Sequence, residues 1–231
     1  MLEGPDRSAW VQSSPETRQG RRGAGPTATR VLFALLLLVG LVGLRAESQD
    51  DGPSRGMRGS LTGKFLVATE ELRDPRFVRS VIFMVRHDRH GAMGLIVNRL
   101  LGVAPLTELL TRLELDAKGV SGDVRMHYGG PVESARGFVL HTGDYAADGT
   151  IPANDRISLT INPEILRAIG LGKGPRLSLV AFGYAGWAAG QLEAEIAHGS
   201  WVSVPADEKL IFDTDPETKW ERAMARRVFE L

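Results

Sequence analysis

Apolar positions alternate with polar ones, or run together at strand length, over Lys64 to Ala68, Val81 to Arg86 and Ala92 to Asn98, and this predicts three β-strands. His87 to Gly91 lies between the last two as a hairpin turn. Pro105 to Leu115 carries Leu106, Leu109, Leu110 and Leu113 at helical spacing, and the fixed φ of Pro105 suits a first helical position. Further strands are expected at Val124 to Tyr128, Gly137 to His141 and Arg156 to Thr160. Asn162 then caps a helix with Pro163 at its first position and Gly170 at its end. Beyond LGKG, Leu177 to Phe182 reads as a buried strand, Gln191 to His198 as a helix and Trp201 to Val204 as another strand. Asp215 and Pro216 open a final helix ending in Arg226 and Arg227, a charge order that agrees with the helix dipole. Consecutive hairpins beside segregated helices argue for an α+β fold rather than a doubly wound sheet.

The pattern changes character upstream. Residues 1 to about 30 are Gly, Pro, Ser, Thr and Arg with little periodicity, the composition of a disordered tail. Val31 to Leu44 is then uncharged and apolar, with Arg21, Arg22 and Arg30 before it and Arg45 directly behind. A bilayer crossing takes about 20 apolar residues and a signal-peptide core about 7 to 15, so length and flank favour an export signal. Leu44 fits poorly at the third position before a cut after Ala46, which leaves an uncleaved short anchor, occupying residues 31–45, as the second reading. Membrane contact would run through residues 31–44. An upstream start, with the protein beginning near Met57, is the third. Residues 46–60 are polar with scattered Gly and Pro and form a linker, and the folded domain occupies 61–231.

Composition narrows the chemistry. From Leu61 onward there are 20 Lys and Arg against 22 Asp and Glu, a net of −2, so the domain lacks the overall positive charge that counterion release exploits and direct nucleic-acid binding is disfavoured. The absence of cysteine removes disulfides, thiolate metal sites and a cysteine nucleophile. No G-x-S-x-G elbow, H-E-x-x-H helix or Walker lysine is present. LGKG runs from helix to strand, the reverse of a phosphate loop.

Several clusters remain as candidates. GYAGWAAGQLEAEI, from Gly183 to Ile196, places glycines, two aromatics and two carboxylates at a strand-to-helix junction, where Tyr184 and Trp187 serve either as core plugs or as a ligand wall. Gly129, Gly130 and Pro131 form a turn whose amides can face an anion or simply turn the chain. His87 and His90 lie three apart in the hairpin without an evident third ligand, and solvated turn histidines are the commoner case; no metal or cofactor is called for. His141 sits near a strand end, able to reach a crevice or to serve as a hydrogen-bonded structural histidine. Glu193 and Glu195 are two apart, which on a helix points them in different directions.

DPRFVRSVIFMVRHDRHGAMGLIVNR (from Asp74), YGGPVESARGFVLHT (from Tyr128) and FGYAGWAAGQLEAEIAHGSWVSVPA (from Phe182) together resemble the YqgE/AlgH family, over Leu61 to Leu231, and FDTDPETKWERAM near the end also fits. The resemblance implies a bifurcated, mostly antiparallel sheet with a small barrel-like element, surrounded by helices. It implies no established chemistry and a suggested role in transcriptional regulation, including of alginate genes. Asp74, Pro75, Asn98, Gly129, Gly130, Pro131, His141, Gly183, Tyr184, Trp187, Gln191, Glu193 and Trp201 occupy motif positions. Leu100 stands where the family usually has proline, and the apolar leader is foreign to the usual pattern.

Three functional expectations follow. The first is a non-enzymatic module that binds a protein or small-molecule partner through one concavity formed by Asn98, Gly129 to Val132, His141 and the Tyr184–Glu193 junction. The second is a hydrolase or transferase using His141 with Glu193 as base and orienter. The third is direct DNA binding. Location follows the leader: exported or membrane-anchored if Val31 to Leu44 acts, cytoplasmic as usual for the family otherwise.

Overall fold

The computed structural model describes residues 59–227. Val31 to Leu44 and the tail before it, with the leader, anchor and start-site readings that rest on them, lie outside the described residues. No helix among the described residues is long and apolar enough to cross a membrane.

Among the described residues ten strands form one branched sheet. β1 (Lys64–Ala68), β2 (Val81–Asp88) and β3 (Gly91–Ile96) are an antiparallel meander, and the β2–β3 turn falls where the sequence places it. Successive residues of β1 and β2 enter different cores: Phe65, Val67, Val81 and Phe83 pack in one, Leu66, Ala68, Ile82 and Met84 in another. Burial on both faces is why these strands read as apolar runs rather than a clean alternation. β4 (Leu100–Pro105) leads into α1 (Leu106–Arg112), and β5 (Asp123–Tyr128) pairs back on β4. β6 (Val132–Thr142), β7 (Thr150–Pro152) and β8 (Ile157–Thr160) complete a second antiparallel group. α2 (Glu164–Gly170) opens with Asn162 Oδ1 accepting from the Glu164 amide at 3.0 Å, the cap the sequence indicates.

β9 (Ser178–Ala188) is where the sheet divides. It pairs antiparallel with β6 and β3 and parallel with β5. The main ladder runs β10-β1-β2-β3-β9-β6-β8-β7, with β4 and β5 branching from β9. α3 (Gln191–Ala197), β10 (Trp201–Pro205), α4 (Glu208–Phe212) and α5 (Lys219–Met224) close the chain. A mostly antiparallel α+β sheet flanked by short helices is the fold class expected.

The structure differs from the sequence reading in four places. β9 continues through GYAGWA to Ala188, so the glycine run is strand and the junction with α3 is confined to residues 189–190. β6 starts at Val132, five residues early, because Val132 pairs with Tyr184 across a bulge. β4, β7 and α4 were not anticipated; β4 is almost wholly exposed and so lacks a periodic apolar signal. The last helix starts at Lys219, because Asp215 spends its carboxylate on the Glu217 amide and Thr218 Oγ1 in a turn before it.

Candidate functional site

The expected concavity resolves into separate places along β9. His141 pairs with Ser178 at its first residue, whereas Trp187 pairs with Ala92 near its last, roughly 30 Å apart at strand rise. His141 therefore does not join Trp187, Gln191 and Glu193 in one surface.

Gly129, Gly130 and Tyr184 do converge, as interlocked backbone. A Cβ on Gly130 would lie 2.1 Å from the Tyr184 carbonyl carbon, and one on Gly183, at φ +72°, would lie 2.3 Å from the Gly130 oxygen. The Gly129 amide donates to Phe182 O at 2.8 Å and its carbonyl accepts from Ile96 N at 2.9 Å. Both glycines are buried, so this turn is a splice between β5, β6 and β9 rather than an open anion cradle; Pro131 is half-buried at its exit.

His141 is fully buried. Its Nδ1 lies 2.8 Å from Thr142 O, an acceptor only, so Nδ1 carries the proton. Nε2 then accepts from Thr160 Oγ1 at 2.8 Å, which leaves Thr160 to accept from Thr150 Oγ1 at 2.7 Å. Burial pushes its pKa below the usual imidazole range. Every ring nitrogen is spent inside the fold, the structural alternative the sequence left open.

Glu193 pairs with a different histidine. His87 Nδ1 accepts from the Leu61 amide at 3.1 Å, so Nε2 is the protonated nitrogen and donates to Glu193 Oε1 at 2.8 Å. The His141–Glu193 acid–base pair is thus not formed, and His87 is not the solvated turn residue expected: its side chain is only 9% exposed. Glu195, two residues further along α3 and turned in a different direction, accepts both indole N–H groups, from Trp187 at 2.9 Å and Trp201 at 2.8 Å. Gln191 links it back to β9, donating to Glu195 Oε1 and accepting from the Ala188 amide. Trp187, 7% exposed, is a core plug with a satisfied polar edge.

Asn98 is different. Its side chain bridges Val81 N and Arg79 O, at 2.8 and 2.9 Å, and it borders an open groove of about 830 Å³ with Pro75, Arg99, Leu100, Leu101 and Tyr128. Among the described residues Arg99 donates to the carbonyls of Pro75 and Val78. Among the described residues no cluster of three or more His, Asp or Glu is placed to hold a metal ion.

The groove, the splice and the indole clamp are built on residues of the motifs quoted above, and the family model for AlgH-like proteins matches residues 65–231. The chain belongs to the AlgH-like family. A UPF0301 protein of Rhizobium rhizogenes is 46% identical over 179 residues, covering 74% of this chain and 89% of its own length. One from Rhodospirillum rubrum is 44% identical over 168 residues, covering 73% and 88%. The solution structure of the AlgH protein from Pseudomonas aeruginosa superposes with a TM-score of 0.64 at 37% identity, over 75% of this chain and 92% of that one. A Corynebacterium diphtheriae protein shares the fold at TM-score 0.58 and 21% identity, over 73% and 87%. None of these names assigns a reaction.

In this AlgH-like domain the sequence reading missed Leu100 and Leu101. The departure from proline after Arg99 was the available signal, and the chain runs from Leu100 directly into β4. It named His87 and Glu195 but not their partners, which depend on α3 lying against β3, β9 and β10.

Proposed function

We propose that this AlgH-like domain is a non-enzymatic module that binds a protein partner along β4 and the adjoining groove. The observation that carries the reading is the exposure of β4: Leu101 and Val103 are 61% and 58% exposed and Leu100 39%, on a strand paired on one edge only among the described residues. Large apolar side chains on an unpaired edge are what native sheets ordinarily cover or charge. Arg99, and Arg125 opposite Val103, flank the strand; Arg125 donates to Thr214 O, and neither arginine takes part in an ion pair among the described residues. An extended peptide that alternates apolar and acidic residues satisfies the open edge, the leucines and both guanidiniums together. Regulation, as the family resemblance suggests, would then act through a protein rather than through DNA.

Panning a displayed library of extended peptides against the full chain tests this. Retained sequences should alternate apolar and acidic residues, and Leu101→Lys with Val103→Lys should weaken them about tenfold or more, on the scale of losing one buried anchor. Failure to enrich any such pattern, or binding indifferent to the double variant, would overturn the reading. The leader, Val31 to Leu44, supports an exported or anchored location for the same module. Fractionation with amino-terminal sequencing checks it, and a cytosolic protein bearing an intact leader would refute it.

A further inference from the structure

β10 closes one end of the main ladder, and among the described residues no strand pairs with its outer edge. The Thr69 amide donates to Ser200 O at 3.0 Å, which sets the phase of the antiparallel β1–β10 ladder. Thr69 with Ser200, and Val67 with Val202, are then the hydrogen-bonded pairs, so Trp201 and Ser203 turn their N–H and C=O groups away from β1. Along this edge runs a groove of about 940 Å³. Ile196, which packs with Trp201 in one core, lines it from the end of α3, and Met224, which packs with Val202 in the other, lines it from α5. The charged residues of the lining are Glu70, Glu71, Arg226 and Arg227. A Cβ on Gly199 would stand 3.1 Å from Glu71 Oε2, which puts that carboxylate beyond the Trp201 end of the strand. Arg226 is at the opposite end, donating to Pro205 O at 3.2 Å and pairing with Asp207 at 2.7 Å. Glu70 and Glu71 are exposed and take part in no ion pair among the described residues.

We propose that this groove binds an extended peptide as an added strand antiparallel to β10, with acidic residues at the peptide's amino end and basic residues at its carboxyl end. The outward N–H and C=O groups of Trp201 and Ser203 supply main-chain hydrogen bonds, which hold any extended segment regardless of sequence. The charges supply direction. An antiparallel strand enters at Pro205 and leaves at Trp201, so its first side chains meet Arg226 and Arg227 and its last meet Glu70 and Glu71. From Trp201 to Pro205 the strand rise covers about 13 Å, which sets the two charged ends of the ligand about five residues apart. Antiparallel pairing also continues the ladder that β10 forms with β1 and is the slightly more stable arrangement. A lone extended segment fits where a second copy's β10 does not, because that strand is flanked by its own α3 and α5. None of the residues lining this groove lines the one beside β4, so the two sites stand or fall separately.

Titration of the full chain with the peptide acetyl-EDVTVKR-amide and its charge-reversed counterpart acetyl-RKVTVDE-amide, by calorimetry and by amide chemical shifts, tests the assignment. The first should bind one to one, with shifts centred on residues 199–205, and about tenfold or more tighter than the second. N-methylation of one alternate set of its residues should abolish binding and of the other set should leave it, since a strand presents every second amide to its neighbour. Ser203→Pro removes an outward N–H at an exposed edge position, where proline is tolerated, and should weaken binding about tenfold while circular dichroism stays native. Glu70→Lys with Glu71→Lys, both at exposed positions, should reverse the preference between the two peptides. Leu101→Lys with Val103→Lys should leave it unchanged, which separates this site from the β4 surface. Equal affinity for the two peptides, binding that survives both N-methyl sets, or a preference unmoved by the glutamate variants would each overturn the proposal. So would a dimer in sedimentation that Ser203→Pro dissolves, because a second copy would then hold the edge.

Discussion

Trp187 and Trp201 meet edge to face, with ring centroids 5.8 Å apart, and donate their indole N–H groups to the same oxygen, Oε2 of Glu195. One carboxylate on α3 thus closes the polar edge of two rings that are 7% and 2% exposed, on β9 and β10. Replacing Glu195 with Leu keeps the packing volume but strands two buried donors. Each costs about 1–3 kcal/mol, so Glu195→Leu should lose about 2–6 kcal/mol in urea unfolding, with a larger share recovered in Glu195→Gln. A loss below about 1 kcal/mol would show that water replaces the carboxylate.

The splice at Gly130 and Gly183 makes a sharper prediction, because the obstacles are backbone atoms that cannot swing aside. Gly130→Ala, at φ +152° and 2.1 Å from the Tyr184 carbonyl carbon, should cost about 3 kcal/mol or more from strain and overpacking. Gly102→Ala, where nothing lies within 4 Å, should change stability by no more than about 0.5 kcal/mol. Thermal unfolding of the two variants side by side reads the contrast; equal midpoints would refute it.

These two sites show how far the sequence could be read. The glycines marked close backbone approach, and Gly129, Gly130 and Gly183 do approach closely, because a missing Cβ is a local property. Which side chains share a surface is not local. His141 and Glu193 both sit in motifs, yet one faces a threonine network beside β8 while the other reaches His87 on β2, and only the branching of the sheet at β9 decides that. β4 was illegible for the opposite reason: an exposed edge strand has no core to impose a period on it.

His127 should make the fold acid-sensitive in a defined window. It is buried on β5 with Nδ1 3.3 Å from Val180 O, and burial, then the charge of Lys219, lowers its pKa to about 4. The unfolded chain, near 6.5, binds more protons than the native one between these values, so stability falls as pH drops from about 6.5 to 4. The loss reaches about 3 kcal/mol at 1.36 kcal/mol per unit. His127→Gln should flatten that part of the profile, leaving a smaller slope of the same sign from His141. An unchanged profile would mean that His127 is charged at no cost in the native state.

Lys219 gives the mirror-image test at alkaline pH. Its side chain is fully buried, and its Nζ donates to Val97 O at 2.9 Å and Ile211 O at 2.8 Å, tying α5 to the end of β3 and to α4. Burial, partly offset by Asp213, lowers its pKa to about 8 from 10.5. Here too the unfolded chain holds more protons between the two values, so this group's contribution to stability rises as pH climbs from about 8 to 10.5, by up to about 3 kcal/mol. Comparing the chain with Lys219→Met across that range isolates the effect, since other alkaline titrations are common to both. The advantage of the parent over the variant should grow with pH, and removing the Lys219 charge should raise the His127 pKa read by NMR, because the two groups oppose each other's protonation across one small interior. If the difference between parent and variant stays constant with pH, Lys219 is neutral throughout or solvated in a way its two carbonyl partners do not suggest.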